Sequence, residues 1–88
     1  MSQVNVNPEE LRRLATVLIQ CSTEIVERAS RMANEVTGCG SWNDAKKQQL
    51  ESIIAGLYPQ IVSFHESINE QSQYLQALAS RAEEYLST

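Results

Sequence analysis

The side chains able to do chemistry are few and lie far apart in this chain. One histidine, His65, and two cysteines, Cys21 and Cys39, are present among 88 residues. A nucleophilic site needs a base held beside its nucleophile, but His65 is predicted in mid-helix and Cys39 in a distant turn. A lone histidine without a neighbouring ligand cluster is weak evidence for a metal site. The sequence therefore predicts no enzyme, with no catalytic, cofactor-binding or metal site.

Composition excludes two further classes of partner. The net charge is −4, and the seven basic residues are spread among acidic ones, which argues against nucleic-acid binding. No stretch approaches the roughly 20 apolar residues that span a bilayer, so no membrane insertion is expected. The polar segment 1–10 lacks the basic and apolar regions of a signal peptide.

A first helix is predicted over about residues 8–37. Asn7 is a residue type that caps helices, and Pro8 follows at the first helical position, where a missing N–H costs nothing. Glu9 and Glu10 complement the positive end of the helix dipole.

Two apolar series run side by side along this helix. The first is Leu11, Leu14, Leu18, Cys21, Ile25 and Met32, and the second is Ala15, Ile19, Ser22, Val26, Ala29, Ala33 and Val36. Together they form an arc of roughly 160°, wider than the roughly 100° stripe of an ordinary surface helix. The width predicts two neighbouring helices, and the alanines would permit one of them to approach closely.

A turn is predicted over about residues 38–43. Gly38 is a natural residue to end the first helix in the left-handed conformation. Ser41 and Asp44 have the spacing of a capping box, although Asn43 or Asp44 is an alternative cap. Such a short turn forces the two helices to run antiparallel.

A second helix is predicted over about residues 44–86. Its apolar repeat has a period of seven residues and one polar member, in the order Leu50, Ile54, Leu57, Ile61, Phe64, Ile68, Gln71, Leu75, Leu78, Ala82 and Tyr85. This period keeps a stripe against a partner helix along its whole length. Pro59 falls on the opposite side, which favours a kinked continuous helix over two separate ones.

One hairpin cannot cover both apolar series of the first helix. Leaving one flank in water would forgo about 1.5–3 kcal/mol for each large side chain. The expected fold is therefore all-α: an antiparallel two-helix hairpin that dimerises into a four-helix bundle, with itself or with a similar small helical chain. The interface would be drawn from Leu11, Leu14, Ala15, Leu18, Ile19, Ile25, Val26, Ala29, Met32 and Ala33, and from Ile54, Leu57, Ile61, Phe64, Ile68, Leu75 and Leu78.

The predicted turn contains the segment Trp42-Asn43-Asp44. Two long helices joined by a tryptophan-bearing turn in a chain of under 100 residues resemble the WXG superfamily, the small helical hairpins of type VII (ESX-like) secretion. The family motif is Trp-any-Gly, so Trp42 matches the tryptophan while Asp44 replaces the glycine. A C-terminal Tyr-x-x-x-Asp/Glu export signal is missing, because Leu78 follows Tyr74 at the fourth position.

The resemblance implies a homodimeric or heterodimeric four-helix bundle without enzymatic activity. It implies a secreted effector, a co-secreted partner, or a targeting chaperone for a larger helical-domain toxin, either cytoplasmic or secreted without a signal peptide. Trp42 would then recognise a secretion ATPase or a partner, or would pack over the end of the hairpin and fix the turn. The alternative is a cytosolic structural or regulatory dimerisation module unrelated to secretion.

Overall fold

The structure, a computed structural model, describes residues 6–87. Helix α1 spans Pro8–Gly38 and helix α2 spans Ala45–Ser87, and no strand occurs in this range. The helices pack against each other as a rod measuring 66 × 21 × 13 Å. The predicted all-α class and the helical hairpin are therefore confirmed.

The start of α1 follows from its first residues. The side-chain oxygen of Asn7 accepts hydrogen bonds from the backbone N–H groups of Glu9 (2.9 Å) and Glu10 (3.4 Å). These are two of the N–H groups that a helix start leaves without a partner. Pro8 supplies no N–H and needs none at this position. The predicted cap is confirmed.

The end of α1 differs from the prediction. Gly38 is the last residue of the helix, and no described glycine has a positive φ. The cap is Cys39, with φ −82° and its N–H bonded to the carbonyl of Val36 at 3.2 Å. The prediction of a left-handed Gly38 was wrong because a tight three-residue turn ends the helix without a left-handed residue.

Helix α2 is continuous and contains Pro59 in its interior. The continuous alternative is thus confirmed over two separate helices. A proline in this position removes one helical hydrogen bond, the one that the carbonyl of Ala55 would accept. Contacts with the α1 segment lie on both sides of Pro59, from Lys47 to the Cys39 carbonyl and from His65 and Ser72 to α1.

Small side chains form the contact between the helices. The buried apolar residues are Ala15, Ala29, Ala79 and Ala82, joined by the buried serines Ser22 and Ser72. Such side chains let two helix backbones approach closely. The Ser72 hydroxyl then reaches across to donate a hydrogen bond to the carbonyl of Ala15 at 2.8 Å.

Two cross-helix hydrogen bonds define the register. Ser72 lies opposite Ala15, and His65 lies opposite Ser22, whose hydroxyl is 2.7 Å from the imidazole Nδ1. A step of seven residues forward in α1 therefore matches a step of seven residues backward in α2. The Ser22 hydroxyl also bonds the carbonyl of Ile19 at 3.2 Å, so every polar group in this layer has a partner.

Only part of the seven-residue repeat of α2 faces α1. Ile54, Ile61, Ile68, Leu75 and Ala82 are buried or half-buried. At the remaining positions of the repeat from Leu57 to Leu78, the next residue along the chain faces α1 instead. These inward residues are Tyr58, His65, Ser72 and Ala79. Each follows a member of the predicted line, so that Leu57 and Phe64 remain 42% and 48% exposed.

Replacement of Ala79 by leucine should destabilise the hairpin. Ala79 is fully buried, so three added carbons would push the helices apart, and such overpacking costs about 1–3 kcal/mol. Ala77→Leu is the matched control because Ala77 is exposed on the same helix. Urea unfolding followed by circular dichroism should show a lower midpoint for Ala79→Leu alone. Equal midpoints for the two variants would contradict the close alanine contact.

Candidate protein-interaction face and turn

Large apolar side chains gather on one broad side of the hairpin. Leu14 immediately precedes the inward residue Ala15, and Leu57, Phe64 and Leu78 precede the inward residues of α2. Because the two helices run antiparallel, a residue one position before an inward residue lies on the same side of the pair in either helix. We call this side the apolar face, formed by Leu14, Leu18, Ile25 and Met32 of α1 with Leu57, Phe64 and Leu78 of α2.

The apolar face is exposed to solvent for most of its length. Leu14 is 46% exposed, Met32 is 49% exposed and Phe64 is 48% exposed, while Leu18 and Leu78 are half-buried. None of its members carries a charge, and the polar residue between Phe64 and Leu78 is Gln71. Arg28, which precedes the inward residue Ala29, lies on the same side and adds one charge beside these residues. An exposed apolar surface of this kind is typical of a site for another protein.

The opposite broad side is polar. The Arg12 guanidinium pairs with the Glu83 carboxylate and donates to the Ser80 hydroxyl at 3.1 Å. The hydrogen bond from Arg12 lowers the pKa of Glu83, and the same bond raises the pKa of Arg12. Ser80 follows the inward residue Ala79, which places this ion pair on the side away from the apolar face.

The predicted interface residues divide into three groups. Ala15 and Ala29 are buried within the hairpin. Half-buried positions are Leu11, Leu18, Ile19, Val26, Ala33, Ile54, Ile61, Ile68, Leu75 and Leu78, and exposed positions are Leu14, Ile25, Met32, Leu57 and Phe64. The first group lies in the contact between the two helices, whereas the last group is exposed on the hairpin.

The turn is organised around Asp44, which caps α2. Its carboxylate accepts hydrogen bonds from the backbone N–H groups of Lys46 (2.9 Å) and Lys47 (3.1 Å). The indole of Trp42 bonds the same carboxylate. The bond from Lys47, then that from Trp42, and then that from Lys46 lower the pKa of Asp44. The alternative in which Asp44 itself caps α2 is confirmed, and the capping box of Ser41 with Asp44 was wrong because α2 begins only at Ala45.

Lys47 ties the turn to the end of α1. This lysine is only 8% exposed, and its ammonium donates to the Cys39 carbonyl at 2.9 Å. The bond brings a positive charge to the negative end of the α1 dipole, which has no basic residue in its last turn. Trp42 lies in this turn with 36% of its surface exposed.

The other reactive side chains do not converge. Cys21 and Cys39 are free thiols and both are exposed. No group of histidine, cysteine, aspartate and glutamate that could hold a metal occurs in the described range, and none of its helices is long and apolar enough to cross a membrane. His65 lies in the helix contact, bonded to Ser22.

Sequence reasoning missed the inward role of several small and polar residues. Tyr58, His65, Ser72 and Ala79 face α1, although the repeat predicted their preceding neighbours. Their seven-residue spacing was the available signal, but it was hidden because two of the four are polar and one is alanine.

Comparison of the chain with protein-family models, with curated proteins and with solved structures found no match.

Acid should destabilise the hairpin in part through Asp44. Because the folded state lowers the pKa of Asp44 and Glu83, their contribution is complete above the unfolded pKa values near 4 and is lost as pH falls through the lower folded values. Asp44→Asn keeps a capping side chain but cannot titrate. Urea midpoints between pH 7 and pH 2.5 should fall less steeply for Asp44→Asn than for the wild type.

Glu66→Gln is the control for this pH series because Glu66 is an exposed carboxylate outside the cap and outside the Arg12–Glu83 pair. Its midpoints should follow the wild-type curve. An Asp44→Asn curve that also follows the wild type would contradict the proposed charge-assisted cap.

Proposed function

We propose that this protein functions by helix–helix association, with the apolar face as its docking surface and without enzymatic activity. The observation that carries the proposal is the contrast between the buried contact of the two helices and the exposed apolar face. The buried core of the hairpin consists of alanines and serines, while leucine, isoleucine, methionine and phenylalanine side chains stay exposed. Fully burying a large side chain is worth about 1.5–3 kcal/mol, so a second molecule that covers these partly exposed side chains would add stabilisation that the hairpin alone does not gain.

The size of the face fits such an association. The two longer dimensions of the hairpin, 66 and 21 Å, give its broad side a projected area of roughly 1,400 Å², against the roughly 800 Å² per partner of a standard stable interface. A second hairpin laid on this side would complete a four-helix bundle. The partner is a second copy of the chain or a similar small helical protein.

We further propose a type VII secretion-associated, WXG-like role: secreted effector, co-secreted partner or targeting chaperone for a larger helical-domain toxin. The two-helix layout and the position of Trp42 in the connecting turn support this proposal. Asp44 stands where the motif Trp-any-Gly has glycine, and its role as the cap of α2 gives a structural reason for this difference. The partly exposed indole would be available to a secretion ATPase or a partner.

The second candidate is a cytosolic structural or regulatory module that dimerises through the same face. The observation that favours it is the engagement of Trp42 with Asp44, since a tryptophan that fixes the turn needs no recognition role. Both candidates predict association, and they differ in whether the chain or its partner is exported.

Phe64→Glu should weaken the association. A carboxylate in the centre of the apolar face would be desolvated in the complex, and loss of one large buried side chain alone corresponds to roughly 10- to 100-fold in affinity. Sedimentation velocity at low micromolar concentration should show a dimer for the wild type and a shift toward monomer for the variant.

Tyr74→Glu is the matched control because Tyr74 is also an exposed aromatic residue, at 56%, and lies outside the apolar face. It should sediment like the wild type. If the wild-type chain is poorly helical alone and becomes helical with a co-expressed helical protein, the partner is a different chain. A well-folded wild-type monomer would overturn the association proposal.

Trp42→Ala separates the two candidates. In a host with a type VII system, the variant should reduce export of the chain or of its bound partner while circular dichroism remains unchanged. Trp42→Phe keeps an aromatic ring but loses the bond to Asp44, so it distinguishes recognition of the ring from fixation of the turn. Export that does not depend on Trp42, or no export of either protein, would favour the cytosolic module.

A further inference from the structure

A groove of about 450 Å³ lies between the last third of α1 and the segment of α2 around Pro59. Its volume is within the range of sites that bind small organic groups. Ala33, Val36 and Ile54 line it with aliphatic surface. We call it the Pro59 groove.

The Pro59 groove and the apolar face lie on opposite sides of the hairpin. Ser30 and Pro59, which line the groove, each follow an inward residue, Ala29 and Tyr58. Residues of the apolar face precede the inward positions instead. A partner on the apolar face would therefore leave the groove open.

The polar side chains of the groove have no hydrogen-bond partner within residues 6–87. Ser30, Thr37, Glu51 and Tyr58 line it, and their side chains make no hydrogen bond or ion pair within residues 6–87. Proline has no N–H, so the carbonyl of Ala55, another lining residue, lacks its normal helical donor. A donor from outside the chain could satisfy several of these groups together.

The electrostatics of the groove favour a cation. Glu51 has no salt bridge, because Lys47, one turn earlier, directs its ammonium to the Cys39 carbonyl. The Lys47 ammonium is thereby held at the C-terminal end of α1, so Glu51 is the charge that a cation in the groove would meet. Tyr58 adds a ring whose face can attract a cation.

We propose that the Pro59 groove binds a basic side chain, arginine in preference to lysine, presented by a helix of a partner protein. The aliphatic stem would pack on Ala33, Val36 and Ile54, as the stems of such residues do on apolar surfaces. The guanidinium would pair with Glu51 and reach the Ala55 carbonyl. Arginine is favoured because its planar fork offers several donors at once and stacks on aromatic rings. This inference does not require that the apolar face be occupied.

The first test is an NMR titration of the ¹⁵N-labelled chain with n-butylguanidinium chloride. The backbone amides of Thr37, Glu51 and Ala55 should shift and saturate at millimolar concentration, whereas n-butanol should give no saturating shift there. Glu51→Gln should weaken the guanidinium binding by about tenfold, the scale expected for loss of one charge-assisted bond. Glu66→Gln, which alters an exposed carboxylate outside the groove, should bind like the wild type.

The second test uses an alanine-rich helical peptide with one central arginine, compared with the same peptide carrying norleucine. The arginine peptide should shift the same amides, and Ala55→Leu should block it by filling an exposed position in the groove. Guanidinium shifts that do not saturate, or that persist unchanged in Glu51→Gln, would overturn the proposal. Arginine and norleucine peptides of equal affinity would overturn it as well. Because all readouts are local to the groove, these outcomes are independent of whether the chain dimerises.

Discussion

The close contact between the two helices, made by alanine and serine, controls the distribution of every larger side chain. Ala15 lies opposite Ser72 and Ser22 lies opposite His65, and no side chain larger than serine is fully buried within residues 6–86. Where the Ser72 hydroxyl reaches the Ala15 carbonyl, no leucine or phenylalanine side chain fits between the helices. Leu14 and Phe64 lie on the flank, where they belong to the apolar face. The hairpin is therefore held by small residues with half-buried isoleucines beside them, while several larger side chains stay exposed.

The serines explain how such a contact can still specify one register. An alanine contact alone would tolerate a slide along the helix axis, because successive alanines offer similar surfaces. The bond from Ser72 to the Ala15 carbonyl and the bond between Ser22 and His65 are satisfied together in one alignment. A slide would leave these polar groups buried without partners, which is costly in a dry contact. A polar layer thus determines the alignment, and the ion pair of Arg12 with Glu83 adds to it at the open end.

The sequence predicted the elements well because their ends are encoded locally. Asn7 with Pro8 marks one helix start and Asp44 marks the other, and both caps act within three residues. The inward side of α2 was harder, because Leu57 and Tyr58 are both apolar and differ in direction by only one helical step. Ser22 belongs to the second apolar series of the sequence, but nothing in that pattern indicates His65 as its partner across the contact. The end of α1 was predicted wrongly because a glycine at position 38 is compatible both with a left-handed helix end and with the three-residue turn that occurs.

The two broad sides of the hairpin have different chemistry, and this difference limits what each can bind. The members of the apolar face are uncharged, so the partner that we propose for it is a helix with its own apolar stripe. The Pro59 groove pairs a short aliphatic lining with Glu51, which has no ion-pair partner within residues 6–87. Such a site discriminates by charge rather than by area. If both proposals hold, the protein would bind one helical partner through the apolar face, and the Pro59 groove would select for a basic side chain on a second partner. That division does not depend on whether the chain is exported.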